Sequence, residues 1–268
     1  MDLQLKGKRA LVSGSSSGIG EGIARMLADE GCHVVVHGRN RDRAEKVAAD
    51  IGAAGVAIGA LSSDEDAAAV HEQTIAALGG HVQILVNNAG GSQTGSNVRP
   101  PLAITAAEWI ANYQTNALAA VRLCLLAVPD MVEAKWGRVI NISSAVALQP
   151  NNLGSDYSGA KAAMNNFTVS LAGSLKGVGV TVNTVTPGVI LVDNVIRWGR
   201  DKFGNDSMTL EEVAQSIADA GIFEMPPVGR AGNAEDVAVV ACMLASPRSG
   251  FITGSNYRID GGQVRAVI

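Results

Sequence analysis

Arg9-Ala10-Leu11-Val12-Ser13-Gly14-Ser15-Ser16-Ser17-Gly18-Ile19-Gly20 is the stretch whose reading decides the fold. A short apolar run ends at Val12 and gives way to serines and glycines. A helical pattern then starts, with Ile19, Ile23, Met26 and Leu27 on one side, and stops at Gly31. Strand, glycine-rich turn and helix form the context of a phosphate-binding loop. Glycines let the backbone approach a pyrophosphate, and the unpaired amides of the helix start supply donors and positive potential. The spacing is G-x-x-x-G-x-G rather than the commoner G-x-G-x-x-G, and a plain left-handed turn is the simpler alternative for the turn alone.

The next segment bears on the ligand. His33-Val34-Val35-Val36-His37 reads as a buried second strand, followed by Gly38-Arg39-Asn40. An Asp or Glu near this strand end takes a ribose 2′-hydroxyl in NAD-binding units. Here glycine and arginine stand instead. Arg39, with Asn40 and the serines of the first turn, suits a 2′-phosphate, so the reading is NADP(H) in preference to NAD(H). The plain alternative is that Arg39 is a solvated residue opening the next helix.

Strand and helix patterns alternate over most of the chain. Helices are expected at Asp42–Ile51 and up to about Leu78, at Thr105–Leu118, and at Ala119–Glu133 with an interruption near Pro129. Further helices are expected at Ser155–Leu175 and Ala234–Leu244. Strands are expected at Val56–Ile58, Val82–Val86, Arg138–Ile142, Val180–Val185 and Tyr257–Ile259. This alternation implies an α/β protein with a doubly wound parallel sheet and helices on both faces. It also implies a single domain over residues 1–268. From Val189 to Pro227 the alternation breaks, and Trp198, Phe203 and Phe223 fall in one or two loosely anchored helices. That segment is where a substrate lid would go.

Composition narrows the function classes. The chain has 268 residues, 47% hydrophobic and 17% charged, enough to bury a sizeable core, and a formal net charge of -4. That balance argues against a nucleic-acid or anionic-membrane partner. Cys32, Cys124 and Cys242 form no C-x-x-C pair or zinc set and read as reduced core residues, so no metal is expected. The first residues lack signal-peptide features, and no run of about 18 apolar residues occurs, so a soluble cytoplasmic protein is expected. His33, His37, His71 and His81 are scattered and read as structural or solvated.

Chemistry concentrates in Tyr157-Ser158-Gly159-Ala160-Lys161. Tyrosine and lysine four apart stand one turn from each other on a helix. An ammonium and an oxidised nicotinamide both favour the phenolate and pull a phenol towards neutral pH. Ile142-Ser143-Ser144 ends an apolar run, and a hydroxyl leaving that strand end can meet the tyrosine across a cleft around a carbonyl oxygen.

The assembled motifs resemble the short-chain dehydrogenase/reductase family over essentially the full length. They are Gly14-x-x-x-Gly18-x-Gly20, Asn87-Asn88-Ala89-Gly90, Asn116, Ser144, Tyr157-x-x-x-Lys161, Pro187-Gly188, and the tail from Gly229-Arg230 to Asp260-Gly261-Gly262. Among members, the chain is similar to bacterial 3-oxoacyl-carrier-protein reductases and related sugar or alcohol dehydrogenases. The resemblance implies a Rossmann-type sheet and NAD(P)(H)-dependent exchange between a ketone and a secondary alcohol. Tyr157 would be the general acid, Lys161 would lower its pKa and hold the nicotinamide ribose, and Ser144 would donate to the substrate oxygen. Asn116 would keep a water in a proton relay through its backbone. Cofactor contacts are expected at Gly14, Ser16, Ser17, Gly18, Ile19 and Gly20, at Arg39 and Asn40, and at Leu61. They continue at Asn88, Ala89 and Gly90, at Tyr157 and Lys161, and at Pro187, Gly188 and Ile190.

Three positions depart from the family pattern. Ser13 stands where Thr or Ser is common. Ala60 stands where an Asp often contacts the adenine amine. Val192 stands where a Thr often bonds the carboxamide, leaving that contact to the Ile190 backbone. A homotetramer is implied, packed through the helix of Tyr157 and the one before it, with Leu118, Val121, Leu125, Phe167 and Leu171 on their apolar faces. Two other readings stay open: an NAD-linked dehydrogenase working oxidatively, and an NADP(H)-binding sensor without turnover. The substrate would be read by the lid and by Gly91–Asn97, Val146–Asn152 and Ser155.

Overall fold

A computed structural model describes residues 2–91 and 99–266. The expected Gly91–Asn97 contribution to substrate binding therefore lies outside the described residues from Ser92 onward. Seven strands among the described residues form one parallel sheet in the order β3-β2-β1-β4-β5-β6-β7. These are β1 (Arg9–Val12), β2 (His33–Gly38), β3 (Gly55–Ile58), β4 (Ile84–Asn87), β5 (Gly137–Ile142), β6 (Val180–Pro187) and β7 (Asn256–Ile259). The sheet reverses its winding between β1 and β4, which pair from Ala10–Ile84 to Val12–Val86. A crevice opens at such a reversal beyond the strands' carboxyl ends.

Alternation along the strands builds a core on each side of the sheet. Ala10, Val12, Val34, Ile84, Val86, Ile140 and Val185 pack against α1 (Gly18–Asp29) and α9 (Ala234–Ala245). Leu11, Val35, Leu85, Val139 and Val182 face the other way, towards α3 (Asp64–Leu78) and the helix Ala119–Glu133, α5. Between β2 and β3 runs α2 (Arg41–Ile51), whose Ala44 and Val47 pack on Val36. Tyr157 stands on α6 (Ser155–Ser174).

Three expectations are corrected. First, α5 runs unbroken through Pro129. The carbonyl that loses its donor belongs to Leu125, on the solvent side, while Leu123, Cys124, Ala127, Val128 and Met131 hold the other side in the core. Second, α4 (Ala106–Tyr113) joins α5 through a π-helical turn, Gln114–Leu118, so Ala106–Glu133 is one helix of 28 residues. It is long and apolar enough to cross a membrane by length and composition, but half of its apolar window is buried inside the fold. Third, Phe167 and Leu171 lean onto the core, and Val169 takes the outward position on α6.

The segment expected as a lid forms α7 (Asp193–Phe203) and α8 (Leu210–Asp219). Met208, Val213 and Ile217 pack there with Val195, Ile196, Phe203 and Phe223, in a small cluster of its own.

Candidate active site

The crevice between β1 and β4 is a cleft of about 700 Å³. Its floor is built from backbone packed too closely for side chains. A Cβ on Gly20 would lie 2.4 Å from the Gly14 carbonyl oxygen and 2.4 Å from Asn88 Nδ2. A Cβ on Gly14, itself at φ +67, would lie 2.9 Å from Ala89 Cα. Ser13 and Asn88 lock the two loops together. The Ser13 hydroxyl accepts from the Asn88 and Ala89 amides at 3.0 Å, and Asn88 Nδ2 donates to the Ser13 and Gly14 carbonyls at 3.0 Å. Ser13 is thus fully used.

At the start of α1, Ser17 holds the N-cap position without a side-chain cap bond. The first amides of a twelve-residue helix are left facing the cleft, and Ser16, Ser17 and Ile19 line it. That cradle suits a phosphate.

Next to it, Arg39, Asn40 and Arg43 line the same cleft. The Asn40 side chain caps α2, accepting from the Arg43 amide at 2.9 Å. That cap starts the helix so that Arg39 and Arg43 flank its amino end, while Arg41 turns away to Glu45 at 3.0 Å. Sequence reading missed Arg43; its spacing of four from Arg39 was the available signal.

His37, read from the sequence as structural or solvated, is buried under the cleft. Its Nδ1 accepts from the Gly14 amide at 2.9 Å. Burial pushes this imidazole down to about 4, so it stays neutral at physiological pH and keeps that acceptor. Leu61, with Ala60 and Ser62, forms the adjoining wall.

At the other end, Gly90, Gly91, Tyr157 and Lys161 line the cleft with Val192. The Ser144 hydroxyl neighbours the Tyr157 phenol. Burial raises the Tyr157 phenol above its usual value, and the Ser144 hydroxyl works against that rise. In the protein by itself burial therefore outweighs the expected downward pull. The Lys161 ammonium lies 5.9 Å from the centre of the Tyr157 ring and donates to the Ile142 carbonyl at 2.8 Å. Burial lowers it to about 8, which leaves it a cation at neutral pH.

Asn116 is wholly buried in the π turn. Its Oδ1 accepts from the Gly91 amide at 2.8 Å, and its Nδ2 donates to the Gly91 carbonyl at 3.0 Å. A Cβ on Gly90 would lie 2.5 Å from Asn116 Oδ1 and 3.4 Å from Lys161 Nζ, so glycine permits this convergence.

Gly18, Gly20, Asn116 and Ser144 stand behind or beside the cleft rather than in its lining. Pro187 ends β6, and Gly188 donates to Ile259 across the sheet at 3.0 Å. Ile190 is buried in a bridge with Gly232 and lines a second cavity, with Arg230 and Arg258, instead of the main cleft. Among the described residues no group of three or more His, Cys, Asp or Glu could hold a metal ion.

A family model, "short chain dehydrogenase", matches residues 8–202. The chain belongs to the short-chain dehydrogenase/reductase family. Its members are NAD(P)-dependent oxidoreductases, and so is this protein. It is 33% identical to the 3-oxoacyl-(acyl-carrier-protein) reductase FabG of Haemophilus influenzae, over 96% of this chain and 98% of that one. The L-sorbose reductase of Gluconobacter frateurii, solved with NADPH and L-sorbose, superposes with a TM-score of 0.89 at 32% identity, covering all of both chains. A 3-oxoacyl-(acyl-carrier-protein) reductase of Agrobacterium tumefaciens with NADP bound superposes with a TM-score of 0.84 at 32% identity. That match covers 97% of this chain and 96% of the other.

Proposed function

We propose that this short-chain dehydrogenase/reductase reduces a ketone to a secondary alcohol with NADPH, Tyr157 serving as the proton donor. The observation that carries this reading is Tyr157 with the buried Lys161 ammonium 5.9 Å from its ring, at one end of a cleft whose other end holds Arg39 and Arg43. NADPH, when bound, supplies a hydride to the carbonyl carbon. Its pyrophosphate would lie on the amides of α1, its 2′-phosphate between Arg39 and Arg43, and its adenine against Leu61.

The chain's own part is proton handling. Ser144 donates to the substrate oxygen and fixes it within reach of Tyr157. The phenol delivers a proton to that oxygen as negative charge builds there. The raised phenol of the protein alone keeps that proton until it is needed, and the Lys161 cation, one turn away, stabilises the phenolate left behind. Two relatives crystallised with NADPH or NADP and the absence of a carboxylate after β2 support the cofactor preference.

The same reading includes self-association. Leu118, Leu125 and Val169 on the helix running into α5 and on α6 are exposed, which suits a homotetramer packed through these helices.

The test is NADPH oxidation, read as loss of reduced-nicotinamide absorbance, over sugar, cyclic, aromatic and acyl-thioester ketones beside NADH controls. Tyr157→Phe should bind NADPH as wild type does and lose nearly all turnover. Activity within a few-fold of wild type would sink the assignment.

A further inference from the structure

Asp156 and Asn112 are both wholly buried and lie away from the cleft lining. Asp156 sits in the first turn of α6, next to Tyr157, and Asn112 sits on α4. The two helices approach closely here: a Cβ on Gly159 would lie 3.0 Å from Trp109 Cζ3. Asn112 Nδ2 donates to Asp156 Oδ2 in a short hydrogen bond. On the other side, Asn116 Nδ2 donates to Asn112 through its backbone oxygen at 3.1 Å and its side-chain Oδ1 at 3.3 Å. Asn116 then grips Gly91 by both backbone groups, at 2.8 and 3.0 Å.

We propose that Asp156 anchors this directional chain, through Asn112 and Asn116, and thereby sets the backbone of Gly91 at the reacting end of the cleft; Asp156 and Asn112 are positioning residues. The argument is one of donor and acceptor supply. A carboxylate accepts and does not donate, so Asp156 turns the NH2 group of Asn112 towards itself. Asn112 must then present Oδ1 to Asn116. A flipped Asn112 would set NH2 against NH2. With its NH2 committed, Asn116 has its oxygen free for the Gly91 amide. In a buried site each group depends on its neighbour's orientation, so the chain acts as a unit. It joins the helix of the proton donor to the loop that lines the cleft opposite Lys161. Its kinetic consequence rests on the ketoreductase reading; its structural content does not.

The experiment uses the whole protein and two readouts. Amide hydrogen exchange at Gly91 reports the chain without any substrate, and steady-state kinetics report its effect on turnover. Asp156→Leu keeps the shape and removes the acceptor; Asp156→Asn can still offer an oxygen to Asn112. We expect the leucine variant to speed Gly91 exchange and lower kcat about tenfold or more, KM for NADPH moving less than about threefold. The asparagine variant should stay near wild type in both.

Should the leucine variant not fold, a second pair decides. Asn112→Asp alone sets carboxylate against carboxylate and should fail in both readouts, and adding Asp156→Asn should restore them. Equal impairment in Asp156→Asn and Asp156→Leu, unchanged Gly91 exchange in Asp156→Leu, or no recovery in the double variant would each overturn the proposal. A wild type that reduces no ketone would remove the ketoreductase reading, and Gly91 exchange would still decide the chain.

Discussion

Lys161→Met should make the cofactor-free protein more stable while removing its turnover. Methionine matches the length of the lysine stem and needs no water. Burial lowers the Lys161 ammonium from 10.5 to about 8. At about 1.4 kcal/mol for each tenfold change in proton affinity, that difference opposes folding by about 3 kcal/mol. The sign follows from proton counting. The folded value is lower, so between about 8 and 10.5 the unfolded chain holds the proton more tightly and stability rises with pH. Below about 8 the penalty is fully present; above 10.5 it is gone.

Against it stands the hydrogen bond to the Ile142 carbonyl, worth about 1 kcal/mol net. The variant should therefore gain about 2 kcal/mol near neutral pH, or about 4–8 °C in Tm for a chain of this size. Thermal unfolding of wild type and variant at about pH 7 and about pH 10 measures this, and the gap should shrink at the higher pH. A methionine variant that is less stable at neutral pH, or a gap of the same size at both, would refute the reasoning. Stability gained by removing a functional group is the usual mark of a site held in a strained state.

Other perturbations read other parts of the cleft. Arg39→Ala and Arg43→Ala should each weaken NADPH binding about tenfold or more and leave NADH binding unchanged, as lost charge-assisted phosphate contacts would. Equal losses for both cofactors, by titration of nicotinamide fluorescence, would take that arginine out of phosphate recognition. Val192 holds the N-cap position of α7 with extended backbone, φ -120 and ψ 161, and has no side chain able to cap. Val192→Thr keeps the branched shape and should add about 1 kcal/mol through an amide bond in the first turn. Slower hydrogen exchange across 193–203 would report it, and unchanged exchange would show that the cap does not form.

The sheet, the phosphate loop and the Tyr157–Lys161 pair were legible because they are encoded locally. Periodicity places the strands and helices. Turn chemistry marks Gly14 and Gly18, and a spacing of four puts tyrosine and lysine on one helix. What was not legible depends on residues far apart in the chain. His37 reads as one more residue of a buried strand, and only the pairing of β1 with β2 brings its ring to the Gly14 amide. Arg43 reads as one of several arginines until the Asn40 cap fixes where α2 begins. Pro129 reads as a break because its penalty is local, whereas the packing that overrides it comes from β4, β5 and α3. The π turn at Gln114–Leu118 has no sequence signature, and it is the element that turns Asn116 onto Gly91.

The division of the apolar residues explains why the reaction is easier to read than the substrate. The floor of the cleft rests on the two large clusters that sandwich the sheet, so its geometry is fixed by most of the fold. Helices α7 and α8, in the segment proposed as a lid, have a separate cluster, and their tie to the main core runs through Ile190 and Val192. A segment with its own small core and few anchors can open with little disturbance to the sheet. It can also change its inner surface without moving Tyr157, Ser144 or Lys161. On the proposed reading, substrate preference and proton transfer would be carried by separable parts of one domain, and residues that specify the second would carry little information about the first. On that reading, near-equal likeness to a reductase of L-sorbose and to reductases of 3-oxoacyl groups is what a shared floor beneath a variable segment would give.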